Sequence, residues 1–245
     1  MKFFGITDIG KVRKNNEDSF DVDCFNDSTV IAVVCDGMGG AKAGELASSL
    51  ATKSFMDYLN SHLKNKIPRN KLFYNKSLED ACKEANGLVY QYSTFDSNYN
   101  GMGTTLVGAI IKKSRAYIIN AGDSRAYKIT KRTIKQITVD HSLVEEMFQR
   151  GEITKEEAAI HPQKNIITSA LGVNGDFKRN IYHINLRKGD RLLLCSDGIT
   201  NMINDETLLN ESKRYTDVKD LCIAYKDLAL ALGAKDNLTA VIIEI

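Results

Sequence analysis

Short apolar runs divided by turn residues set the pattern of this chain. Residues 3–7, 29–35, 105–111, 116–120, 125–129, 181–185, 191–195 and 238–243 are mostly apolar, several of them rich in β-branched side chains. Glycine or Asp/Asn/Ser turns bound many of these runs, so each predicts a strand. Residues 106–119 read as a hairpin turning at Lys112-Lys113-Ser114. A second turn at Ala121-Gly122-Asp123-Ser124 then predicts a third strand beside it, an antiparallel meander.

Helical spacing takes over elsewhere. Over residues 44–63, Leu46, Leu50, Phe55, Leu59 and Leu63 recur close to the helical period. Ser77-Leu78-Glu79-Asp80 has the form of a capping box opening a helix that runs to about residue 94. Two helices are predicted after Asp140-His141, the second opened by the capping box Thr154-Lys155-Glu156-Glu157. A last helix covers about residues 217–232 and stops at Gly233. Helices in clusters, not in strict alternation with strands, predict an α+β fold with sheets packed on each other and helices outside.

A length of 245 residues with two prolines and no low-complexity tract or linker predicts one domain, residues 1–245. The net charge of +2 gives no global basic field, so no nucleic-acid partner is expected. No run approaches the roughly 18 to 20 apolar residues of a membrane span, and the apolar run at residues 3–6 is too short for a signal peptide. The five cysteines are scattered without a C-x-x-C pair, and Cys35 and Cys195 lie within apolar runs. Reduced thiols and a cytoplasmic location are the expectation.

Candidate chemistry sits where apolar runs meet acid. The run 31–35 ends in Asp36-Gly37-Met38-Gly39-Gly40, and residues 192–195 end in Ser196-Asp197-Gly198. Asp236-Asn237 precedes the last run, and Glu17-Asp18 follows Arg13. Any one such aspartate has a plain reading as a turn former or helix cap. Two strand ends of the same design suggest a shared site. A carboxylate cluster without a nearby cysteine or histidine pair selects Mg²⁺ or Mn²⁺ over zinc.

The order and spacing of these motifs resemble a family. Thr7-Asp8-Ile9-Gly10-x-x-Arg13-x-x-Asn16-Glu17-Asp18, Asp36-Gly37-Met38-Gly39-Gly40 and Gly44-x-x-Ala47-Ser48 are similar to the opening motifs of the metal-dependent PPM (type-2C) protein phosphatases. Gly103-Thr104-Thr105, Asn120-Ala121-Gly122-Asp123-Ser124-Arg125-Ala126-Tyr127, Asp140-His141-Ser142, Ala170-Leu171-Gly172, Ser196-Asp197-Gly198-Ile199 and Asp236-Asn237-x-Thr239 continue in family order. The short catalytic domain, the methionine in Asp-Gly-Met-Gly-Gly and the insertion around residues 151–162 resemble the bacterial branch.

The resemblance implies two stacked antiparallel β-sheets flanked by helix pairs, with a flap at about residues 142–170 that tunes substrate access. It implies hydrolysis of phosphoserine and phosphothreonine by a water or hydroxide bridging two Mn²⁺ or Mg²⁺ ions. Phosphorylated proteins would be the substrates, an opposing eukaryotic-type Ser/Thr kinase the partner, and a monomer the working form. Asp36 would bridge the ions, Asp197 and Asp236 would complete one shell, and Glu17 with the Gly37 carbonyl the other. Asp18 would hold a metal-bound water, and Arg13 would bind phosphate, its plain alternative being a surface ion pair with Glu17. Asp123 would join Asp197 at a third, weaker ion, or else be a hairpin-turn aspartate. Eukaryotic members carry a histidine, a proposed general acid, where this chain has Met38. A metal-bound water could protonate the leaving oxygen instead, with His141 a distant second and more simply a structural residue.

Other readings remain. A catalytically silent scaffold of the same fold would be expected to lack metal carboxylates, and all five stand here. A phosphatase of sigma-factor regulators fits less well with the complete motif from Arg13 to Asp18 and the flap-like insertion. A small metabolite could be the substrate of the same chemistry.

Overall fold

Strands that are apolar on both faces need cover on both faces, and that requirement builds this molecule. The computed structural model describes residues 1–26, 28–39, 43–64 and 70–245. The strands are β1 (Lys2–Asp8), β2 (Asp18–Asn26), β3 (Thr29–Met38), β4 (Gly103–Thr104), β5 (Leu106–Lys112) and β6 (Arg115–Ala121). They continue with β7 (Arg125–Ile129), β8 (Ile134–Gln136), β9 (Asn180–Asn185), β10 (Arg191–Cys195) and β11 (Leu238–Glu244). Two antiparallel sheets result, one in the order β1-β11-β10-β7-β8 and the other β2-β3-β5-β6-β9, with β4 pairing the end of β3. The α+β expectation of stacked antiparallel sheets holds.

The strand period divides each run between two cores. Val30, Ala32 and Val34 of β3 meet Leu192 and Leu194 of β10 and Val241 and Ile243 of β11 between the sheets. The alternate residues Ile31, Val33 and Cys35 face α1 (Ala43–Leu63) and α2 (Lys71–Phe95). On the other side Leu193, Cys195, Ala240 and Ile242 face α6 (Asp205–Arg214) and α7 (Val218–Ala231). The order is helix pair, sheet, sheet, helix pair. Along the chain, α3 (Leu143–Gln149), α4 (Lys155–Ile160) and the single turn α5 (Asp197–Thr200) come between α2 and α6.

Three local expectations are corrected. The strand after Gly122 does not extend a meander: β7 pairs with β10 and β8 in the opposite sheet. Gly122, at φ +105°, carries the chain across, and the Thr105 and Ser124 hydroxyls bond at 2.7 Å beneath it. The second long helix starts six residues before Ser77, because the Asn70 carboxamide accepts from the Phe73 amide and caps it earlier. Ser77 is an interior residue whose hydroxyl donates to the Phe73 carbonyl. Asp36 does not end its strand, since β3 continues to Met38. Strands β2 and β8 and helix α6 were not expected, because they are too polar or too short to present an apolar run.

Expectations for α1, the hairpin β5–β6, the Thr154–Glu157 capping box and the stop after α7 hold. Helix α1 approaches its sheet on the small residues Ala47 and Ala51, with Phe55 lying over Gly108. A Cβ on Gly108 would meet the Phe55 ring at 2.5 Å, so helix and strand fit only with glycine there. Phe55→Ala is therefore expected to cost about 3–5 kcal/mol of unfolding free energy, read from the urea midpoint. A loss below about 1 kcal/mol would show that the α1 face is not packed this way.

Candidate metal centre

Asp36 stands directly opposite Asp18 in the β2–β3 pairing. Its backbone is held tightly: its amide donates to the Thr105 hydroxyl at 3.0 Å, and its carbonyl accepts from the Thr105 amide at 2.8 Å and the Thr104 hydroxyl at 2.9 Å. Like charges on directly paired positions repel, so packing alone does not account for this pair. Burial, then the charges of Asp18, Asp197, Asp123 and Asp236, push the Asp36 carboxyl far above its ordinary range. Asp197 is raised for the same reasons, burial first and Asp236 next, and it lies within hydrogen-bonding reach of Asp36.

Asp18 lies at the seam between the sheets. Its Oδ2 accepts from the Ser196 hydroxyl at 2.7 Å and the Thr239 hydroxyl at 2.6 Å, both from the opposite sheet or its edge. Its Oδ1 is buried with no hydrogen-bond partner among the described residues. Burial dominates and lifts this carboxyl to about 7 despite both hydroxyls. Asp123, at the crossing between β6 and β7, is lifted to about 8 by burial and then by Asp197 and Asp140. It is no hairpin-turn residue, because the strands on either side belong to different sheets. All these raised values share one sign: each carboxylate charge is unfavourable where the fold holds it.

Asp236 sits in the turn before β11. Its Oδ1 accepts from the Asn237 amide at 2.9 Å and its Oδ2 from the Arg13 guanidinium at 2.7 Å. The expected alternative partner of Arg13, Glu17, is not what it bonds. Glu17 packs against the start of α1, where a Cβ on Gly44 would fall 2.2 Å from its Oε2. Burial raises the Glu17 carboxyl, Arg13 lowers it, and Asp236 and Glu45 raise it.

Arg13, Glu17, Asp36, Gly37, Met38, Asp123, Asp197 and Asp236 line one open pocket of about 430 Å³. Asp18 lies just beneath, behind Asp36. Gly40 of the same motif lies outside the described residues. His141 is fully engaged: its Nδ1 accepts from the Gly122 amide at 3.1 Å and its Nε2 meets Asn180 Oδ1 at 2.7 Å. It braces the backbone beside Asp123 and so takes the structural role.

Sequence reasoning assigned no role to the residues that lock these loops together. The Asn237 side chain accepts from the Glu17 amide and donates to the carbonyls of Ile9 and Asn15, each at 2.9 Å. Asn16 accepts from the Asp18 amide and donates to Thr7. Arg125 grips Asp140 through Nε and Nη2, the shortest contact being 2.7 Å, beside Asp123. A signal existed: Thr239 is a fully buried hydroxyl inside an otherwise apolar run.

A hard divalent cation suits this donor set. The donors are oxygens only, one buried carboxylate oxygen is orphaned, and the cluster carries repulsion that a cation would relieve. Among the described residues no three His, Cys, Asp or Glu side chains already stand as a coordination cage. Arg13 occupies Asp236 and the Asn201 carboxamide occupies Asp197 at 2.8 Å.

Comparison with known proteins agrees with the fold. The protein phosphatase 2C family profile matches residues 11–232. The serine/threonine phosphatase stp of Listeria welshimeri is 38% identical over 242 residues, covering 97% of this chain and 93% of that protein. The PstP phosphatase of Mycobacterium tuberculosis is 33% identical across the whole chain, which spans 45% of PstP. The crystal structure of Staphylococcus aureus Stp1 superposes with a TM-score of 0.91 at 36% identity, covering 100% of this chain and 94% of that one. A structure of the PstP catalytic domain in complex with two manganese ions gives 0.84 at 31% identity, covering 99% and 97%. The class defined is the metal-dependent serine/threonine protein phosphatases. This chain belongs to the protein phosphatase 2C family.

In chelator, Asp36→Asn is expected to melt at or above the wild-type temperature, because it removes a charge the fold holds at a cost. Added Mn²⁺ should raise the wild-type melting temperature, a hundredfold excess over Kd adding about 2.7 kcal/mol per site. The variant should gain much less. Equal Mn²⁺ shifts in both proteins would remove Asp36 from the metal centre.

Proposed function

We propose that this chain removes phosphate from phosphoserine and phosphothreonine in proteins, countering a eukaryotic-type Ser/Thr kinase. The single observation that carries this is the gathering of Asp36, Asp123, Asp197 and Asp236, with Arg13 at the rim, around one pocket. We read residues 1–245 as one catalytic domain, residues 142–170 as its flap, and a cytoplasmic monomer as its form. Among the described residues no helix is long and apolar enough to cross a membrane, and Cys35, Cys82, Cys195 and Cys222 are free and buried.

Asp36, Asp197 and Asp236 would hold one ion, and Asp36, Glu17 and the Gly37 carbonyl a second. Asp123 and Asp197 would share a third. When bound, Mn²⁺ or Mg²⁺ would neutralise phosphoryl charge and lower the pKa of water, so that hydroxide is available as the nucleophile. The chain's own part is to hold carboxylates where they repel until that charge arrives, with Asp36 positioning the attacking water and Asp18 holding a water of the metal's shell, as the family resemblance implies. Arg13 offers a planar fork of donors to a phosphate dianion and is half exposed. Met38 has no proton to give, and His141 is committed to Gly122 and Asn180, so neither protonates the leaving oxygen. The Cys35 thiol, pushed up to about 12 by burial, is no nucleophile.

Turnover of a phosphothreonine peptide is expected to require Mn²⁺ or Mg²⁺ and to fall at least about 100-fold in Asp36→Asn and Asp197→Asn. Full activity in chelator, or in both variants, would overturn the reading. Ser196→Ala removes one of the two hydroxyls on Asp18 without touching the pocket. It should weaken apparent Mn²⁺ affinity by about 10- to 100-fold, read as a shift of the activity-versus-metal curve. An unmoved curve would make that hydroxyl purely structural.

A further inference from the structure

Met38 has a second face. Beside the catalytic pocket lies a smaller one of about 250 Å³, and the two share Met38 and Ile167 as a common wall. The remaining apolar lining is Ala170, Val173 and Phe177, beside the polar Thr168, Ser169, Asn174, Asp176 and Lys178. The Met38 Cε lies over Gly103 next to Val173, where a Cβ would meet Met38 at 2.8 Å and Val173 at 2.9 Å. The volume is below the roughly 300–1,000 Å³ of a small-molecule site, so it suits one side chain and the chain leading to it.

The walls are built rather than incidental. Asn86, buried in α2, accepts from the Gly172 amide at 2.9 Å and donates to the carbonyls of Asn174 and Gly175 at 3.2 and 3.3 Å. The Ser93 hydroxyl donates to the Gly172 carbonyl at 3.1 Å, and Ser169 donates to the Lys178 carbonyl at 2.7 Å. Arg179 lies over the Phe177 ring, 5.0 Å from its centroid. The two charges at the rim are matched within the protein, Lys178 with Glu146 at 3.8 Å and Asp176 with Arg179 at 3.6 Å. The lining mixes polar and apolar residues, but the Thr168 hydroxyl is spent on Glu146 at 2.8 Å and the Ser169 hydroxyl on the Lys178 carbonyl, so the side chains of this cup free to pack on a ligand are Met38, Ile167, Ala170, Val173 and Phe177, with Val173 43% exposed.

We propose that this cup is a substrate subsite that takes one apolar side chain flanking the phosphorylated residue of a protein. The inference rests on the phosphatase reading, because continuity through Met38 and Ile167 fixes the occupant: a peptide whose phosphate lies among the carboxylates runs over that wall. Met38 thus serves as the partition between phosphate and flanking residue. Preorganised walls let the subsite discriminate with little ordering cost.

The test uses the whole chain with Mn²⁺, p-nitrophenyl phosphate, and phosphothreonine peptides carrying leucine or serine at each of the two positions on either side. One position is expected to favour leucine by about 10-fold or more in kcat/KM. In Val173→Asp that ratio should collapse toward one. The ratio compares two peptides on the same protein, so partial loss of folded enzyme cancels. Equal kcat/KM for leucine and serine at every position, with both substrate types turned over, overturns the subsite and leaves the phosphatase reading standing. A preference that persists in Val173→Asp also overturns it. No turnover of any phosphate ester overturns the phosphatase reading and the subsite with it.

Discussion

Everything at the functional end of this molecule follows from carboxylates held against their mutual repulsion. Asp18 and Asp36 face each other across β2 and β3, and Asp197, Asp123 and Asp236 add charge to the same pocket. A fold selected for stability alone would not place charges this way, since each buried, unpaired charge is costly. The arrangement persists because a network of side-chain hydrogen bonds over-determines it. Asp36 is clamped by Thr104 and Thr105, Asp18 by Ser196 and Thr239, and the loop from Ile9 to Glu17 by Asn237. Local rules fail here while the sandwich obeys them, and such conflict marks a functional site.

The sandwich is what makes that crowding possible. Asp18 and Asp36 come from one sheet, and Asp197 and Asp236 from the ends of β10 and β11 in the other. Only where two sheets stack do strand ends so distant in sequence converge, and the shared core of Val34, Leu194 and Val241 sets their separation. The crossing at Gly122 adds Asp123 from a chain passing between sheets. His141 then ties that crossing to the insertion, its amide donating to the Gly122 carbonyl and its carbonyl accepting from Thr168. The base of the insertion and the Asp123 segment are thus one hydrogen-bonded unit.

Much of this was legible in the residues, for reasons that also explain the failures. Apolar runs such as residues 31–35 and 192–195 announced buried strands because both faces are covered. Strand β2 was missed because it sits at a sheet edge, where Ser19, Asp21 and Asp23 separate Phe20, Val22 and Cys24 and leave no continuous apolar run, although that alternation is itself a strand signal. The change of sheet at Gly122 was illegible too, since a tight turn and a crossing use the same glycine chemistry and only long-range pairing separates them. The acidic positions stood out in sequence. The residues that hold them did not, because Asn16, Asn237 and Ser196 look like ordinary turn polar groups until their partners are seen.

Met38 shows how one substitution of type can change what a wall does. A histidine at that position would present a polar, titratable edge to the phosphate and to the neighbouring cup alike. Methionine presents an unbranched thioether that fills irregular space and tolerates varied apolar neighbours. Its contacts with Gly103 and Val173 belong to the cup, while its place in the lining belongs to the catalytic pocket. The side chain that removes a proton donor from one site therefore completes the apolar surface of the other. Chemistry at phosphorus is left to the charged cluster, and recognition of what surrounds the phosphate falls to the apolar side of the same partition.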